Sequence, residues 1–249
     1  MGLPPKPGLG AKGVAFRFGG GDARTAVLGS TGSGKSTNGL WQLAHQRLDK
    51  RPWIIVDFKR EVILDRVGFP PLRPLRYADK LPRKPGLYVI SPKPGEDDAI
   101  DDLMWRIWEH ENIGIFVDEC TLMPLYSNGF AACYQQGRSK RIPIIACSQR
   151  PAKVPVVVFT EAQFFCVYRL MERDYKTVRD YVPGDFDRPL EPYYWRWYDV
   201  AHNIELTMQP VPSPERVAEM LALRAPNTPS AWHPFTFTSK PSGQRVKLT

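Results

Sequence analysis

Short apolar runs recur along the chain and alternate with stretches whose apolar residues follow a helical spacing. A continuous apolar run of about four to eight residues is typical of a strand that is buried on both faces. Strands of this kind that alternate with helices predict an α/β fold, in which a mainly parallel sheet carries helices on both faces. The predicted buried strands are residues 25–28, 53–57, 87–90, 113–117, 142–148 and 163–168.

Helices are predicted where apolar residues return every three or four positions and therefore share one face. Leu40, Ala44 and Leu48 form such a row after the first strand. The strongest row runs from 100 to 108 and follows three acidic residues, which favour the first turn of a helix. Further helices are predicted at 129–137, 172–181 and 215–223, the last with Ser213 as N-cap and Pro214 at the first helical position.

The remaining segments differ in composition from these apolar elements. Residues 14–18 alternate as in a half-buried strand, whereas the proline-rich stretch 70–85 predicts little regular structure. Residues 192–197 and 203–208 predict a C-terminal β-hairpin before the last helix. The chain is therefore divided into a flexible basic arm (1–13), a single domain (14–225) and a basic tail rich in Pro, Ser and Thr (226–249).

Residues 29–36 read Gly-Ser-Thr-Gly-Ser-Gly-Lys-Ser, the spacing of a phosphate-binding P-loop. The glycines let backbone N–H groups surround the phosphates, Lys35 adds a positive charge, and the Ser36 hydroxyl is a ligand for Mg²⁺. A flexible Gly/Ser turn is the alternative, but the preceding strand and the following helix favour a nucleotide site. The predicted ATP-binding residues are Gly29, Ser30, Thr31, Gly32, Ser33, Gly34, Lys35, Ser36 and Thr37.

The strand at 113–117 ends in two carboxylates, Asp118 and Glu119. Asp118 is the predicted partner of Ser36 in holding Mg²⁺, and Glu119 is the predicted general base for an attacking water. Paired acids at a strand end are also common in solvated loops. Beside a P-loop they favour hydrolysis over a small-molecule kinase, because a kinase transfers the phosphate to a bound substrate and does not need the second carboxylate.

Polar segments also flank the strand at 142–148. Gln149, just past its carboxyl end, is a candidate sensor of the γ-phosphate, although a polar strand end need carry no function. The loop 137–141 before the strand contains Arg138 and Arg141. It is interpreted as an arginine finger that acts on a neighbouring subunit, with a solvated loop or a DNA contact as alternatives.

Charge and cysteine content add weaker constraints. A formal net charge of +8 favours a polyanionic partner, and the candidate nucleic-acid contacts are Lys140, Arg150 and Lys153. The four cysteines include no C-x-x-C pair, so they are predicted to be small core residues in a reducing compartment. No apolar run reaches the length of a membrane helix and no signal-peptide pattern is present, which predicts a soluble intracellular protein.

An aromatic cluster at 193–198 alternates as in a strand, with one face in the core and the other in a subunit interface. Stacking on nucleic-acid bases is the alternative interpretation. The segment 57–61, Asp-Phe-Lys-Arg-Glu, follows another predicted strand at the sheet edge where ligands bind, but charged strand ends are usually only solvated.

The segments 29–36, 56–61, 117–119, 137–138 and 148–151 together resemble the HerA/FtsK superfamily of DNA-pumping ATPases. Within that superfamily, the compact size is most similar to the genome-packaging ATPases of membrane-containing icosahedral viruses. The resemblance covers about residues 14 to 170. It implies a RecA-like core of the additional-strand type, in which another strand separates the P-loop strand from the Asp-Glu strand. It also implies a hexameric ring with ATP sites between subunits and double-stranded DNA in the pore.

The function expected from this resemblance is an ATP-hydrolysing motor that translocates double-stranded DNA and packages a viral genome into a preformed capsid. Such a protein would act in the host cytoplasm or attached to the virion vertex, with capsid or vertex proteins as partners. A HerA-like cellular helicase or conjugation-type DNA translocase is the first alternative. The second alternative is a non-motor P-loop factor of virion assembly.

Overall fold

The computed structural model describes residues 16–60, 72–186 and 188–226. Its strands are β1 (Arg24–Leu28), β2 (Pro52–Val56), β3 (Leu72–Pro74), β4 (Gly86–Ile90), β5 (Gly114–Val117), β6 (Ile144–Ser148), β7 (Phe164–Val167), β8 (Trp195–Asp199) and β9 (Ile204–Met208). Its helices are α1 (Lys35–Ala44), α2 (Asp97–His110), α3 (Asn128–Gln136), α4 (Val156–Glu161), α5 (Glu172–Arg179) and α6 (Pro214–Arg224), and 3₁₀ turns cover Cys120–Leu122 and Pro151–Lys153.

The described strands form one sheet in the order β3-β4-β2-β5-β6-β1-β7-β8-β9. Strands β1 to β7 pair in parallel, and the hairpin β8–β9 extends the sheet in antiparallel fashion next to β7. Strand β6 separates the P-loop strand β1 from the Asp-Glu strand β5, as predicted for the additional-strand type. Because β1, β2, β5 and β6 run in the same direction, the polar residues that follow them meet at one edge of the sheet.

Both faces of the sheet are covered, as the continuous apolar runs predict. In β2, Ile54 and Val56 belong to a core with α2, α3 and α4, whereas Trp53 and Ile55 belong to a second core with α1 and α6. This alternation arises because successive side chains of a strand point to opposite faces. The four cysteines are buried and free, in agreement with their predicted place in the core.

Among the described residues of the stretch 70–85, the strand β3 is the one regular element, so the prediction of little regular structure is confirmed there. Its Pro74 is tolerated because β3 is the outermost strand and pairs on one side. Two other local features were not predicted correctly. Helix α4 was not predicted, since its Val-Val-Val-Phe sequence has no clear helical period. Residues 16–18 are not in a strand; Phe16 and Phe18 instead pack on α1, with the Phe18 ring 3.6 Å from that of His45.

Several predicted segments cannot be compared with the structure. Residues 14 and 15, the arm 1–13 and the tail from 227 onward lie outside the described residues. The division at 13/14 and 225/226 therefore stays a prediction. The N-cap of α6 is confirmed, because the Ser213 side chain accepts a hydrogen bond from the backbone N–H of Arg216.

Gly39 in α1 provides a test of the packing between this helix and the sheet. A Cβ at this position would lie 2.5 Å from Sγ of Cys147 and 2.9 Å from a ring carbon of Phe116. We expect Gly39→Ala to lower the free energy of unfolding by about 1–2 kcal/mol, because overpacking outweighs the gain of about 1 kcal/mol in helix propensity. Urea unfolding measures the effect. Gly20→Ala is the control, since no atom of the described residues beyond its chain neighbours lies within 4 Å of its added Cβ. Equal stability of the two variants would contradict the expectation.

Candidate active site

The P-loop connects β1 to α1 and has the backbone shape of a phosphate cradle. Gly32 and Gly34 have φ angles of 77° and 94°, in the left-handed region that favours glycine. The backbone N–H of Ser30 donates to the carbonyl oxygen of Arg169 at 3.1 Å, which ties the loop to the segment after β7. The cradle is therefore formed at the amino end of α1, where the helix dipole and unpaired N–H groups favour phosphate.

Lys35, Ser36 and Asp118 lie together at this end of α1. Lys35 is 6% exposed, and the Ser36 hydroxyl is close enough to the Asp118 carboxylate to favour its ionised form as a hydrogen-bond donor. Burial raises the pKa of Asp118 above its ordinary value, although the Ser36 hydroxyl and the charges of Lys35 and Lys59 oppose the rise.

One oxygen of the Asp118 carboxylate is suited to binding a metal ion. Among the described residues, its Oδ1 atom is buried without a hydrogen-bond partner. A buried carboxylate oxygen beside a hydroxyl is a donor set that Mg²⁺ accepts, because Mg²⁺ prefers hard oxygen ligands and keeps several waters or phosphate oxygens. The residues present thus fit the predicted metal site.

Glu119, the next residue along the chain, is held by three donors. Lys59 Nζ lies 2.9 Å from its Oε2, and Thr121 Oγ1 donates to its Oε1 at 2.6 Å. The backbone N–H of Gln149 also donates to Oε1, at 3.3 Å. Burial alone would raise the pKa of Glu119, but these bonds and the Lys59 charge hold it below its ordinary value. The carboxylate is therefore ionised at neutral pH, as a general base requires.

Gln149 contacts the P-loop as well as Glu119. Its side-chain Oε1 accepts a hydrogen bond of 2.5 Å from Thr31 Oγ1, while its backbone N–H reaches the carboxylate. The predicted sensor is thus joined to the phosphate cradle and to the predicted base through one residue. Its part in sensing the γ-phosphate stays a prediction.

The three predicted nucleic-acid contacts lie at two opposite edges of the sheet, one at the carboxyl ends and the other at the amino ends of its parallel strands. Arg150 and Lys153 line a cavity of about 340 Å³ at the edge that carries the P-loop, together with Lys59, Glu119 and Gln149. Lys140 lies at the other edge, where its Nζ is 2.8 Å from Glu111 Oε1 and 3.8 Å from the centre of the Trp108 ring. The three candidate nucleic-acid contacts therefore do not form one surface of this chain.

Arg138 and Arg141 also lie away from the P-loop of their own chain. Their loop precedes β6 and is closed by a hydrogen bond of 2.7 Å from the Ile142 N–H to the Gly137 carbonyl. Arg138 is exposed, and it is close enough to Arg24, at the start of β1, to help lower the pKa of that guanidinium, for which burial is the larger cause. The amino ends of β1 and β6 are opposite to the P-loop edge. Neither arginine is therefore placed to act on a nucleotide bound to its own P-loop.

Sequence reasoning did not single out Lys59, Thr121 or Tyr193. Lys59 belongs to the segment 57–61, for which the signals were its position after a strand and its part in the resemblance to the HerA/FtsK superfamily. Glu61 of that segment lies outside the described residues. The aromatic cluster at 193–198 does contain a strand, β8, as predicted. Strand β8 is buried on both faces within this chain, so the predicted subunit-interface face of that strand is wrong. Tyr193 instead lies next to the P-loop, with 59% of the residue exposed.

Among the described residues, no helix combines the length and apolar character that crossing a bilayer requires.

Known proteins provide relatives of this chain in sequence and in structure. It is 34% identical over 206 residues to the DNA packaging ATPase P9 of Enterobacteria phage PRD1, a match that covers 78% of this chain and 89% of that protein. No protein-family model matches the chain.

Solved structures share the fold at lower identity. The genome packaging NTPase B204 of Sulfolobus turreted icosahedral virus 2, in complex with sulfate, superposes with a TM-score of 0.61 at 16% identity, covering 77% of this chain and 98% of that one. The same protein in complex with AMPPCP gives a TM-score of 0.59 at 15% identity, with 77% and 99% covered. The pCW3 conjugation coupling protein TcpA gives 0.53 at 16% identity, with 84% and 68% covered. At these identities the similarity establishes the fold: an α/β P-loop NTPase.

Proposed function

The chain belongs to the family of viral DNA-packaging ATPases, and from this premise we propose that it hydrolyses ATP to drive double-stranded DNA into a preformed capsid. The proposal rests on one observation: Asp118 and Glu119 lie beside the P-loop. Ser36 lies beside Asp118, and Gln149 joins Thr31 to Glu119. A cradle for phosphates, an acid suited to a metal and an ionised base within one edge of a sheet support hydrolysis of a nucleoside triphosphate.

In this proposal the P-loop N–H groups and Lys35 bind the phosphates of ATP. Ser36 and Asp118 would hold Mg²⁺, which when bound neutralises charge on the β- and γ-phosphate oxygens. Lys35 contributes a further buried positive charge, and the left-handed glycines keep the cradle open to the phosphates. The AMPPCP complex of B204 supports ATP as the nucleotide.

Glu119 is the proposed base for hydrolysis. It accepts a proton from water as the water oxygen bonds to the γ-phosphorus, and the bond from that phosphorus to the β–γ bridging oxygen breaks to leave ADP. Lys59 and Thr121 position the carboxylate by occupying one oxygen each. Each carboxylate oxygen has two lone pairs, so Oε2 can accept a proton from water while Lys59 stays in place.

The assembly proposed for the motor is a homo-oligomeric ring around DNA, hexameric by the resemblance to HerA and FtsK. Arg150 and Lys153 are the proposed DNA contacts nearest the nucleotide, and Lys140 is one at the opposite edge. Contacts of lysine and arginine with phosphates give little sequence preference and a strong salt dependence. Capsid or vertex proteins of a virion in the host cell are the proposed partners at the end of the ring.

The function is tested by the rate of ATP hydrolysis with and without long double-stranded DNA, and by protection of that DNA from nuclease when procapsids are added. We expect DNA to stimulate hydrolysis and procapsids to protect DNA only in the presence of ATP. Hydrolysis that is indifferent to DNA would overturn the motor and favour a non-motor assembly factor. Stimulation by DNA without any protection would favour a cellular or conjugation-type translocase instead.

Arg138 provides a test of the ring. Arg138 lies at the edge opposite its own P-loop, so in this proposal it acts on the nucleotide of the neighbouring subunit. Arg138→Ala should therefore abolish hydrolysis, whereas nucleotide binding should remain. Mixing this variant with Lys35→Ala creates sites that join an intact P-loop to an intact Arg138. We expect such mixtures to recover activity above either variant alone. Arg47→Ala, an exposed arginine paired with Asp49, is the matched control that should keep full activity.

Mixtures that stay inactive would show that Arg138 does not act between subunits. The same mixing experiment with Arg141→Ala then tests the other arginine of the loop.

A further inference from the structure

The segment that leads into β8 forms a wall beside the P-loop. Residues 190–194 line a cavity of about 260 Å³ together with Ser30, Gly32 and Tyr168. A second cavity of about 290 Å³ is lined by Gly32, Gly34, residues 35–37 and Tyr193. Tyr193 and Gly32 border both cavities, so the tyrosine ring lies between them at the mouth of the phosphate cradle.

The order of the strands indicates which part of a nucleotide would meet this wall. Asp118, Glu119 and Gln149 follow β5 and β6, on one side of β1. Tyr193 precedes β8, which lies on the other side of β1, beyond β7. If the γ-phosphate faces the predicted base and metal ligand, the opposite end of the triphosphate leaves the cradle toward Tyr193. The nucleoside would thus extend into the cavities that Tyr193 borders.

The environment of Tyr193 leaves more than half of the residue open to a ligand. A Cβ on Gly34 would lie 3.4 Å from Cδ1 of Tyr193, so the ring packs against the bare backbone of the P-loop turn. The residue is 59% exposed, and its φ angle of 64° is uncommon for a bulky side chain. Tyr168, which also lines the first cavity, is a buried residue, and its hydroxyl oxygen accepts a hydrogen bond of 2.9 Å from the side-chain amide of Asn38.

We propose that Tyr193 is the residue that binds the base of the nucleotide, by stacking its exposed ring on the heterocycle. The inference rests on the proposed function only in that the P-loop binds a nucleoside triphosphate. An aromatic ring stacks on every base, because each base has a π-face, and it reads no hydrogen-bond pattern. The site therefore accepts ATP and GTP with similar affinity and binds the smaller pyrimidine nucleotides more weakly.

The test compares a nucleotide with a probe that has phosphates and no base. Binding of ATP and of inorganic tripolyphosphate is measured by calorimetry in the presence of Mg²⁺ and without DNA. Asparagine tolerates positive φ, so Tyr193→Asn removes the ring with little backbone strain. We expect this variant to bind ATP about tenfold more weakly, equivalent to ~1.4 kcal/mol, and tripolyphosphate within about twofold of the wild type. Tyr193→Phe should bind ATP like the wild type.

Tyr126→Ala is the matched control, because this tyrosine is 91% exposed and borders neither cavity. Equal losses for ATP and tripolyphosphate in Tyr193→Asn would overturn the inference and assign the residue to the shape of the P-loop. Unchanged ATP binding in that variant, or a loss in Tyr193→Phe, would overturn it as well. The motor proposal fails separately, when the wild-type protein binds ATP and DNA does not stimulate hydrolysis.

Discussion

Replacing Lys35 by alanine is expected to reduce DNA-stimulated ATP hydrolysis to background, a loss of at least about 10²-fold. Lys35 is buried at the first turn of α1, beside the P-loop glycines and Asp118. An ammonium held in a largely desolvated site interacts with phosphate more strongly than a solvated one does, and no other described side chain of the loop carries a positive charge. The variant should also lose affinity for ATP.

Hydrolysis of radiolabelled ATP with long double-stranded DNA measures the effect. Lys50→Ala is the matched control, because Lys50 lies past the end of α1, pairs only with Asp49 among the described residues and is well exposed. It should keep full activity. An unchanged rate in Lys35→Ala would mean that the P-loop is not the hydrolytic site.

Replacing Glu119 by glutamine is expected to leave ATP binding intact and to lower the rate of hydrolysis by about 10²-fold or more. Glutamine has nearly the same shape and still accepts the Thr121 hydroxyl, but it cannot take a proton from water. It also loses the charge attraction to Lys59, so Lys59 should become more mobile. The loss should therefore appear in kcat and not in the dissociation constant of ATP.

Single-turnover hydrolysis and equilibrium binding of ATP separate these two quantities. Glu109→Gln is the control, since Glu109 is an exposed acid on α2 and lies away from the P-loop edge. Normal turnover in Glu119→Gln would exclude Glu119 as the base. A loss of ATP binding of the same size would instead assign it to the integrity of the site.

The fold was predictable from sequence where burial acts on a whole segment. The apolar runs of β1, β2, β5, β6 and β7 are covered on both faces, so the composition of each run is sufficient to identify a strand. The short strand β3 was not predictable, because three residues with a proline become a strand only through pairing with β4. Helix α4 was missed for a related reason: its valines are placed by the buried contacts of Val158 and Phe159, and local propensity does not favour a helix there.

The candidate site was also predictable from sequence only in part. The P-loop and the Asp-Glu pair are contiguous in sequence, so their residues could be named from the chain alone. The bond from Lys59 to Glu119 depends on β2 and β5 being neighbours in the sheet, which the sequence does not state. The approach of Tyr193 to the P-loop depends in turn on the hairpin folding back along β7. Both contacts are properties of the tertiary structure.

The burial of the four cysteines has a practical consequence for fluorescence labelling of this protein. Burial raises the pKa of the Cys133 thiol to about 12 and raises the pKa values of the other three thiols as well, so the reactive thiolate is scarce at every one of them. Maleimide dyes should consequently leave the native chain unlabelled. A single cysteine introduced at an exposed position would then accept one fluorophore per subunit, with no need to remove the natural thiols first.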